Sequence, residues 1–504
     1  MPISNLASQA RLERPYRELL TLAAPLVAVS ASRILMSFVD VAMVARLGTD
    51  ALAAISPAAF LVWIFIWAGM GIASSAQTFA AQSDGRGEPE RGAEYTWQTI
   101  YFALPAALAA ALIAAALPTV YRWIGAVGGQ TPAVLQAQAD YAVVTIWALV
   151  PAVAAAGLEG FFNGVKRPGV TLVASLVSLG VNVLFNWLLI FGPTLSLPAL
   201  GPLPAWSVTF PAWGIWGAGL ATVIGWWARL AVLLAAFLAP GFNARFRTRH
   251  ALAVRWRAIA DILRIGVPMA AMGVLELGSW VVFLNLIAPR FGTAALAATN
   301  IAMQYTHVAF MPAVGIGLAL CSQVGFAVGA GRPHEAVYRA RVALHLNMVY
   351  MGLAGLALFL ARGPLLWVMS SDADVLAIGG WIMLWVALYQ VFDAMGITFI
   401  FALRGAGDTR VPALLNGACC WSLFVGGGWL LAEFAPQFGI HGPWLMAVAY
   451  LTLLGLLVAW RFRSGAWRKV QIFSASAPAA AGAVPRPDAE LSVDPQAAAA
   501  QQPA

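Results

Sequence analysis

Residues 46–54 read RLGTDALAA, and residues 290–298, 244 positions later, read RFGTAALAA. Further matched pairs at an offset of 243 or 244 are Pro25 with Pro268, Gly71 with Gly315, Gly85 with Gly329, Gly87 with Gly331, and Pro168 with Pro412. An offset that holds from the first helix to the fifth indicates duplication of a whole folding unit. The chain is therefore built from two repeats of one architecture.

The amino-acid composition indicates that these repeats lie in a membrane. Of the 504 residues, 61% are hydrophobic and only 10% are charged, whereas a soluble domain carries about 25% charged residues. The apolar residues fall in blocks of about 20, the length that crosses some 30 Å of hydrocarbon as a helix. Twelve spans are predicted, at 19–42, 54–80, 97–118, 141–162, 170–191, 213–238, 262–287, 296–327, 340–361, 377–402, 411–432 and 442–461.

The basic residues predict the orientation of these spans. An even number of spans places both termini on one side, and that side holds 23 of the 29 Lys and Arg residues. The opposite loops hold Arg46, Arg122, Arg290 and Arg362, while Arg33 and Arg229 fall within spans. Because positive loops stay in the cytoplasm, both termini are predicted to be cytoplasmic.

The repeat and the charge pattern together predict an all-α membrane protein with two pseudo-symmetric six-helix lobes. Each repeat has an even number of spans, so both enter the membrane in the same direction, with an axis along the membrane normal and a central cleft. This is typical of a transporter. The predicted parts are a cytoplasmic segment 1–18, an N-terminal lobe 19–240, a basic linker 241–261, a C-terminal lobe 262–465 and a disordered cytoplasmic tail 466–504.

Three carboxylates lie well inside predicted spans: Asp40, Glu276 and Asp393. A charged side chain at bilayer depth costs about 2.5–3.5 kcal/mol on insertion scales. Each must therefore be paired, hydrated, protonated for part of the time or bound to a cation. Groups of this kind are what a cycle that loads and unloads a cation requires.

Polar residues accompany Asp40 in the first repeat. Asn182 and Asn186 are spaced i, i+4 and share one helical face, and Thr222 could add a hydroxyl. Amides and a hydroxyl around a carboxylate suit proton uptake or a small hard cation. Two alternatives stay open: a permanent ion pair of Asp40 with Arg33, and interhelical hydrogen bonding by the asparagines.

The second repeat has its own polar groups. Tyr389 precedes Asp393 by one helical turn, and neither Glu276 nor Asp393 has a basic residue within two turns of its own helix. An acidic cavity lined by aromatic rings attracts organic cations by charge and cation–π contact. Asn300 and Gln304 form a polar stripe on span eight that could line the cavity; His307 continues it and is more simply a hydrogen-bonding helix residue.

Several function classes lack their sequence signals. The three cysteines, Cys321, Cys419 and Cys420, lie in apolar segments without metal-ligand spacing, and the five histidines are scattered. No nucleophile–base or phosphate-binding constellation is present, so an enzyme is not predicted. The net charge of +8 follows from membrane topology, and no nucleic-acid partner or cofactor is expected.

These residues together resemble the multidrug and toxic compound extrusion (MATE) transporter family, in particular its NorM-like branch. The resemblance runs from about residue 15 to 465, and no single motif carries it. The matching stretches are Ala24–Pro25 to Asp40, Arg46–Leu47–Gly48, Gly164 to Pro168, Asn182 to Asn186, Trp216 to Thr222, Glu276 to Pro289, Gln390 to Asp393, and Leu403 to Arg410.

The resemblance implies a transporter that works by alternating access and is driven by Na⁺ or H⁺. It also implies that the protein lies in a cell membrane, namely the bacterial inner membrane. It implies an acidic site at Glu276 and Asp393, with Tyr389 beside them, where Na⁺ could bind. It also implies an N-terminal-lobe site at Asp40, Asn182 and Asn186, with Thr222 less securely placed.

The predicted function is antiport: organic cations leave by a monomeric, lipid-embedded transporter as Na⁺ or H⁺ enters. The alternative within transport is a flippase for lipid-linked oligosaccharide or lipid. Flippases of the same superfamily usually have two more helices and a cationic cavity, whereas the interior charge here is mainly acidic.

Overall fold

Twelve membrane-length helices form the protein, as predicted. The computed structural model describes residues 15–128, 131–197 and 206–474, so most of the predicted N-terminal segment and of the predicted tail lies outside the described residues. The helices are α1 Pro15–Leu47, α2 Thr49–Gly85, α3 Pro89–Gly125, α4 Pro132–Gly164, α5 Pro168–Phe191, α6 Gly214–Phe237, α7 Trp256–Phe291, α8 Thr293–Gly329, α9 Pro333–Leu360, α10 Ala373–Ala406, α11 Arg410–Phe434 and α12 His441–Arg463.

Helix boundaries follow ordinary local chemistry. Pro168 and Pro333 occupy the first turns of α5 and α9, where a missing N–H costs nothing. Glycine separates α1 from α2 and α7 from α8: Gly48 has φ 120° and Gly292 has φ 92°, a conformation that disfavours residues with a Cβ. The duplicated RLGT and RFGT sequences therefore encode the same tight link in both lobes.

A short hairpin between α5 and α6 is the one departure from an all-helical fold among the described residues. Strands β1 Thr194–Leu197 and β2 Trp206–Thr209 pair antiparallel. This connection follows Gly192 (φ 61°), which ends α5 in the left-handed region. The sequence analysis predicted the spans 170–191 and 213–238 on either side and no strands, because four-residue strands give too short a pattern to detect.

The core is divided between the two lobes, and α1 belongs to both. One cluster of buried apolar residues runs from Val44 to Phe246. The other contains residues between Phe283 and Trp467 and also Leu19, Ala23 and Leu26 from the start of α1. Helix α1 therefore begins against the C-terminal half and ends in the N-terminal one.

Paired glycines bring the lobes into close contact around a pseudo-twofold axis. A Cβ on Gly85 would lie 2.2 Å from the carbonyl oxygen of Phe326, and a Cβ on Gly329 would lie 2.1 Å from that of Gln82. These two contacts are exchanged by the 244-residue offset. Small residues permit this backbone approach between membrane helices, so the repeated glycines are interface residues.

Hydrogen bonds close the cleft at the end of the bundle where α1 begins and α12 ends, here called the termini side. The amide of Gln77 donates to the Leu318 carbonyl at 2.8 Å, and the Thr78 hydroxyl donates to the Arg404 carbonyl at 2.9 Å. The amide of Gln82 donates to the Gly405 carbonyl at 3.0 Å. The structure is therefore a state with the lobes joined on the termini side.

The glycine contacts predict that Gly329→Ala disfavours this closed state. The added methyl meets backbone rather than a flexible side chain, and overpacking of this kind costs roughly 1–3 kcal/mol. Spin labels at Glu90 and His334, exposed repeat-related positions on the termini side, should report a longer distance between the lobes in the variant.

The matched control is Gly169→Ala, because a Cβ on that helical glycine meets nothing within 4 Å. An unchanged distance distribution in Gly329→Ala would contradict the assignment of this glycine to the lobe interface.

Candidate functional site

Two acids of the C-terminal lobe lie close together without a basic partner. Glu276 is on α7 and Asp393 on α10, both half-buried, and they are near enough for the charge of one to act on the other. Within the described part of the chain, neither carboxylate forms an ion pair or accepts a side-chain hydrogen bond. The pair therefore concentrates negative charge that only a proton or a cation can balance.

Two tyrosines lie beside this pair. Tyr389 is buried one turn before Asp393, with Thr306 of α8 near its hydroxyl. Tyr450 on α12 is fully buried near both acids. The Tyr450 hydroxyl has no hydrogen-bond partner among the described residues, so the site holds a polar group free to bind.

The predicted polar stripe on α8 is exposed. Asn300, Gln304 and His307 all lie on the accessible surface of the bundle. His307 interacts through Nδ1 with the carbonyl of Met303 at 3.1 Å, as expected for a hydrogen-bonding helix residue. No hydrogen bond from Asn300 or Gln304 to either acid is present in the structure.

The N-terminal lobe holds Asp40 among the predicted partners. Asp40 is only 7% exposed. The Asn186 amide donates to one carboxylate oxygen at 2.5 Å and to the Asn182 carbonyl oxygen at 3.2 Å. The Thr222 hydroxyl lies 3.4 Å from the other carboxylate oxygen. Helices α1, α5 and α6 thus bring the four residues together.

This polar cluster is not fully satisfied. The amide nitrogen of Asn182 and the amide oxygen of Asn186 are buried without partners, and unpartnered groups of this kind are uncommon and costly. The Asn186 oxygen and the Asp40 carboxylate could both act as ligands to a small hard cation. The arrangement is suited to taking up and releasing one positive charge.

Arg33 pairs with Glu159 rather than with Asp40. One of its terminal nitrogens, Nη2, is 3.0 Å from the Glu159 carboxylate. The other oxygen of Glu159 bonds to Nε of Arg229. The carboxylate of Asp40 is thereby left to its amide and hydroxyl partners.

Sequence reasoning missed Glu159 and the two tyrosines Tyr141 and Tyr450. Glu159 lies near the predicted end of span four, so it was not counted among the deeply placed acids. Two arginines inside spans were the available signal, because each needs a buried acid. Tyr141, whose phenol interacts with Asp40, and Tyr450 gave no signal, since one sequence does not show which helices face each other.

The residues present can bind a single alkali cation or a proton, and they do not form a dense metal centre. No group of three or more His, Cys, Asp or Glu side chains with metal-binding geometry occurs among the described residues. The predicted Na⁺ site at Glu276 and Asp393 would therefore rely on the neighbouring neutral oxygens of Tyr389 or Tyr450.

Comparison with known proteins adds an independent result. The family model MatE matches residues 25–188 and again residues 268–430, two segments at the offset of the internal repeat. A NorM protein of Chromobacterium violaceum, named a probable multidrug resistance protein, is 27% identical over 464 residues, covering 90% of this chain and 95% of its own. The equivalent protein of Rhodopseudomonas palustris is 30% identical and covers 88% and 91%.

Solved structures share the fold. The crystal structure of the eukaryotic MATE transporter AtDTX14 superimposes with a TM-score of 0.77 at 20% identity, covering 90% of this chain and 97% of that one. Its likeness concerns the arrangement of helices, since the identity is low. With a family model matching most of both lobes, this chain belongs to the MatE family and has the fold of a membrane transporter.

Proposed function

We propose that this protein exports organic cations in antiport with Na⁺ or H⁺ by alternating access. The observation that carries the proposal is the acid pair Glu276 and Asp393, which lies between helices of the bundle and has no basic partner among the described residues. The family and the NorM relatives, named as probable multidrug resistance proteins, support multidrug efflux.

The predicted orientation relates the observed state to the two sides of the membrane. The distribution of Lys and Arg supports cytoplasmic termini. With that orientation, the hydrogen bonds of Gln77, Thr78 and Gln82 close the cytoplasmic entrance, and this state releases cargo outward. The inner membrane of a bacterium is the proposed location, and a monomer contains both lobes and the cleft.

Mutual exclusion at shared carboxylates couples the two movements. A ligand shifts a conformational equilibrium only by its difference in affinity for the two states. In the outward state an entering ion neutralises Glu276, Asp393 or Asp40 and displaces the cationic cargo. After return to the inward state, the ion leaves and the acids accept new cargo.

Neutralising the acids tests the proposal directly. Glu276→Gln and Asp393→Asn should each reduce gradient-driven efflux of rhodamine 6G from proteoliposomes by roughly tenfold or more, because a charged partner of cargo and ion is lost. Asp40→Asn should also reduce efflux. Na⁺ and H⁺ gradients are imposed separately, and the gradient that drives wild-type efflux identifies the coupling ion.

The control is Asp374→Asn, which removes an exposed acid from the first turn of α10, the helix that carries Asp393. It should transport like wild type at equal reconstituted amount. Normal efflux in all three interior variants would overturn the assignment of these acids. Absence of efflux for a panel of organic cations in wild type would overturn the organic-cation proposal itself.

Competition between ion and cargo gives a second prediction. In wild type the apparent Kd of rhodamine 6G should rise with the concentration of the coupling ion. Mass action requires this rise once the ion concentration exceeds the Kd of the ion. In the combined variant Glu276→Gln, Asp393→Asn that dependence should flatten. Fluorescence polarisation of the dye with purified protein measures both, and a dependence equally steep in the variant would contradict binding at shared carboxylates.

The flippase alternative is less favoured by the site. A cavity for lipid pyrophosphate needs a surplus of positive charge, whereas the C-terminal site contains two acids and no base among its described contacts. The described residues contain twelve membrane-length helices, whereas such flippases usually have two more.

A further inference from the structure

A buried ion cluster lies in the N-terminal lobe outside the proposed coupling sites. Glu159 on α4 bonds through its two oxygens to Arg33 of α1 and Arg229 of α6. The side chains of Glu159 and Arg229 are 9% and 4% exposed, whereas that of Arg33 remains 44% exposed. Glu159 and Arg229 are thus buried in the lobe, whereas the Arg33 side chain can be reached from outside it.

The cluster carries one more positive charge than negative charge. Two guanidinium groups offer ten N–H donors to one carboxylate, which has about four acceptor positions. A charge placed in an apolar interior is costly unless it is paired and hydrogen-bonded. The excess charge therefore calls for a second acidic group that the lobe does not provide among its described contacts.

One donor of the cluster is unpartnered. Nη2 of Arg229, whose Nε bonds to Glu159, is buried without an acceptor. The Trp226 ring one turn earlier on α6 packs 5.2 Å from the same guanidinium and offers it no acceptor. An unpartnered guanidinium nitrogen in a cluster with excess positive charge favours the binding of an anionic oxygen.

The cluster is in register with the Asp40 site. Arg33 precedes Asp40 by seven residues on α1, and Arg229 follows Thr222 by seven residues on α6. Seven residues are two helical turns, about 10 Å along the axis. A positive layer and a negative layer therefore face the interior of the lobe about 10 Å apart, which fits the two ends of one small molecule.

We propose that Arg33, with Glu159 and Arg229, forms a carboxylate-binding subsite, so that the preferred cargo is a zwitterion that carries an organic cation and a carboxylate. This inference rests on the proposed export of organic cations and specifies the cargo further. The cationic end binds an acid of the cleft, and the carboxylate binds the exposed guanidinium of Arg33.

Rhodamine B and its ethyl ester test the proposal, because they differ only by esterification of the carboxylate. Arg33→Gln is the informative variant: it leaves the Glu159–Arg229 pair neutral, whereas removing Glu159 would leave two buried positive charges. The variant should raise the Kd of rhodamine B by roughly tenfold or more, the range for a lost hydrogen bond to a charged group. The Kd of the ester should stay within about twofold, since it loses no such bond.

Two further variants act as controls. Arg33→Lys keeps the charge but loses the forked donor geometry, so it should retain part of the preference for rhodamine B. Arg46→Gln removes an exposed arginine at the end of the same helix and should behave as wild type. Equal weakening of both dyes by Arg33→Gln would show a purely structural role, and no weakening of rhodamine B would show no role; either result overturns the proposal.

A measurement without organic cations separates this inference from the proposed function. Benzoate should raise the Tm of purified wild type more than benzamide does, and Arg33→Gln should abolish the difference. Equal shifts for the two compounds overturn the subsite. If chloride or acetate gives the same Arg33-dependent shift while rhodamine B binding is unaffected, the site takes a free anion, and the cargo assignment is overturned. If neither dye binds wild type, the proposed function fails, and the benzoate result alone decides whether the subsite exists.

Discussion

An ionised side chain inside the hydrocarbon layer must find a partner, and the different partners available to the interior acids organise this protein. Glu159 has two arginines, Asp40 has amides and a hydroxyl, and the pair Glu276 and Asp393 has no basic partner among the described residues. The first arrangement neutralises the acid, the second stabilises its negative charge without neutralising it, and the third leaves two acids without a partner of opposite charge. The helices that carry these groups are therefore held in a defined register.

The two lobes share an architecture but not an electrostatic character. Glycines related by the repeat, such as Gly85 and Gly329, make equivalent contacts across the pseudo-twofold axis, so the framework is symmetric. The interior charge differs between the lobes. In the N-terminal lobe Arg33 and Arg229 both bond to Glu159 and Asp40 has only neutral partners, while the C-terminal lobe holds the acid pair Glu276 and Asp393. The pseudo-twofold axis lies along the membrane normal and relates the two lobes to each other. The difference in charge therefore gives the two lobes different binding chemistry on one common framework.

Close packing on the termini side is compatible with motion because of how it is built. The contacts between lobes use small residues and side-chain amides that donate to backbone carbonyls, as Gln82 does to Gly405. Such hydrogen bonds are modest in net energy, and water can replace them once the helices separate. Among the described residues, the ion pairs of Glu159 with Arg33 and Arg229 in the interior lie within one lobe, so parting the lobes does not break them.

The twelve spans, their duplication and the acids that need a partner inside the membrane can be read from the amino-acid sequence, because these depend on segment length, periodicity and the cost of charge in hydrocarbon. The sequence also indicated that Asp40, Asn182, Asn186 and Thr222 belong together. The pairing of Arg33 with Glu159 and the positions of Tyr141 and Tyr450 near the acids became apparent from the packed helices. The reason is that helix periodicity shows which residues share a face, whereas the partner of that face is fixed by packing between helices distant in sequence.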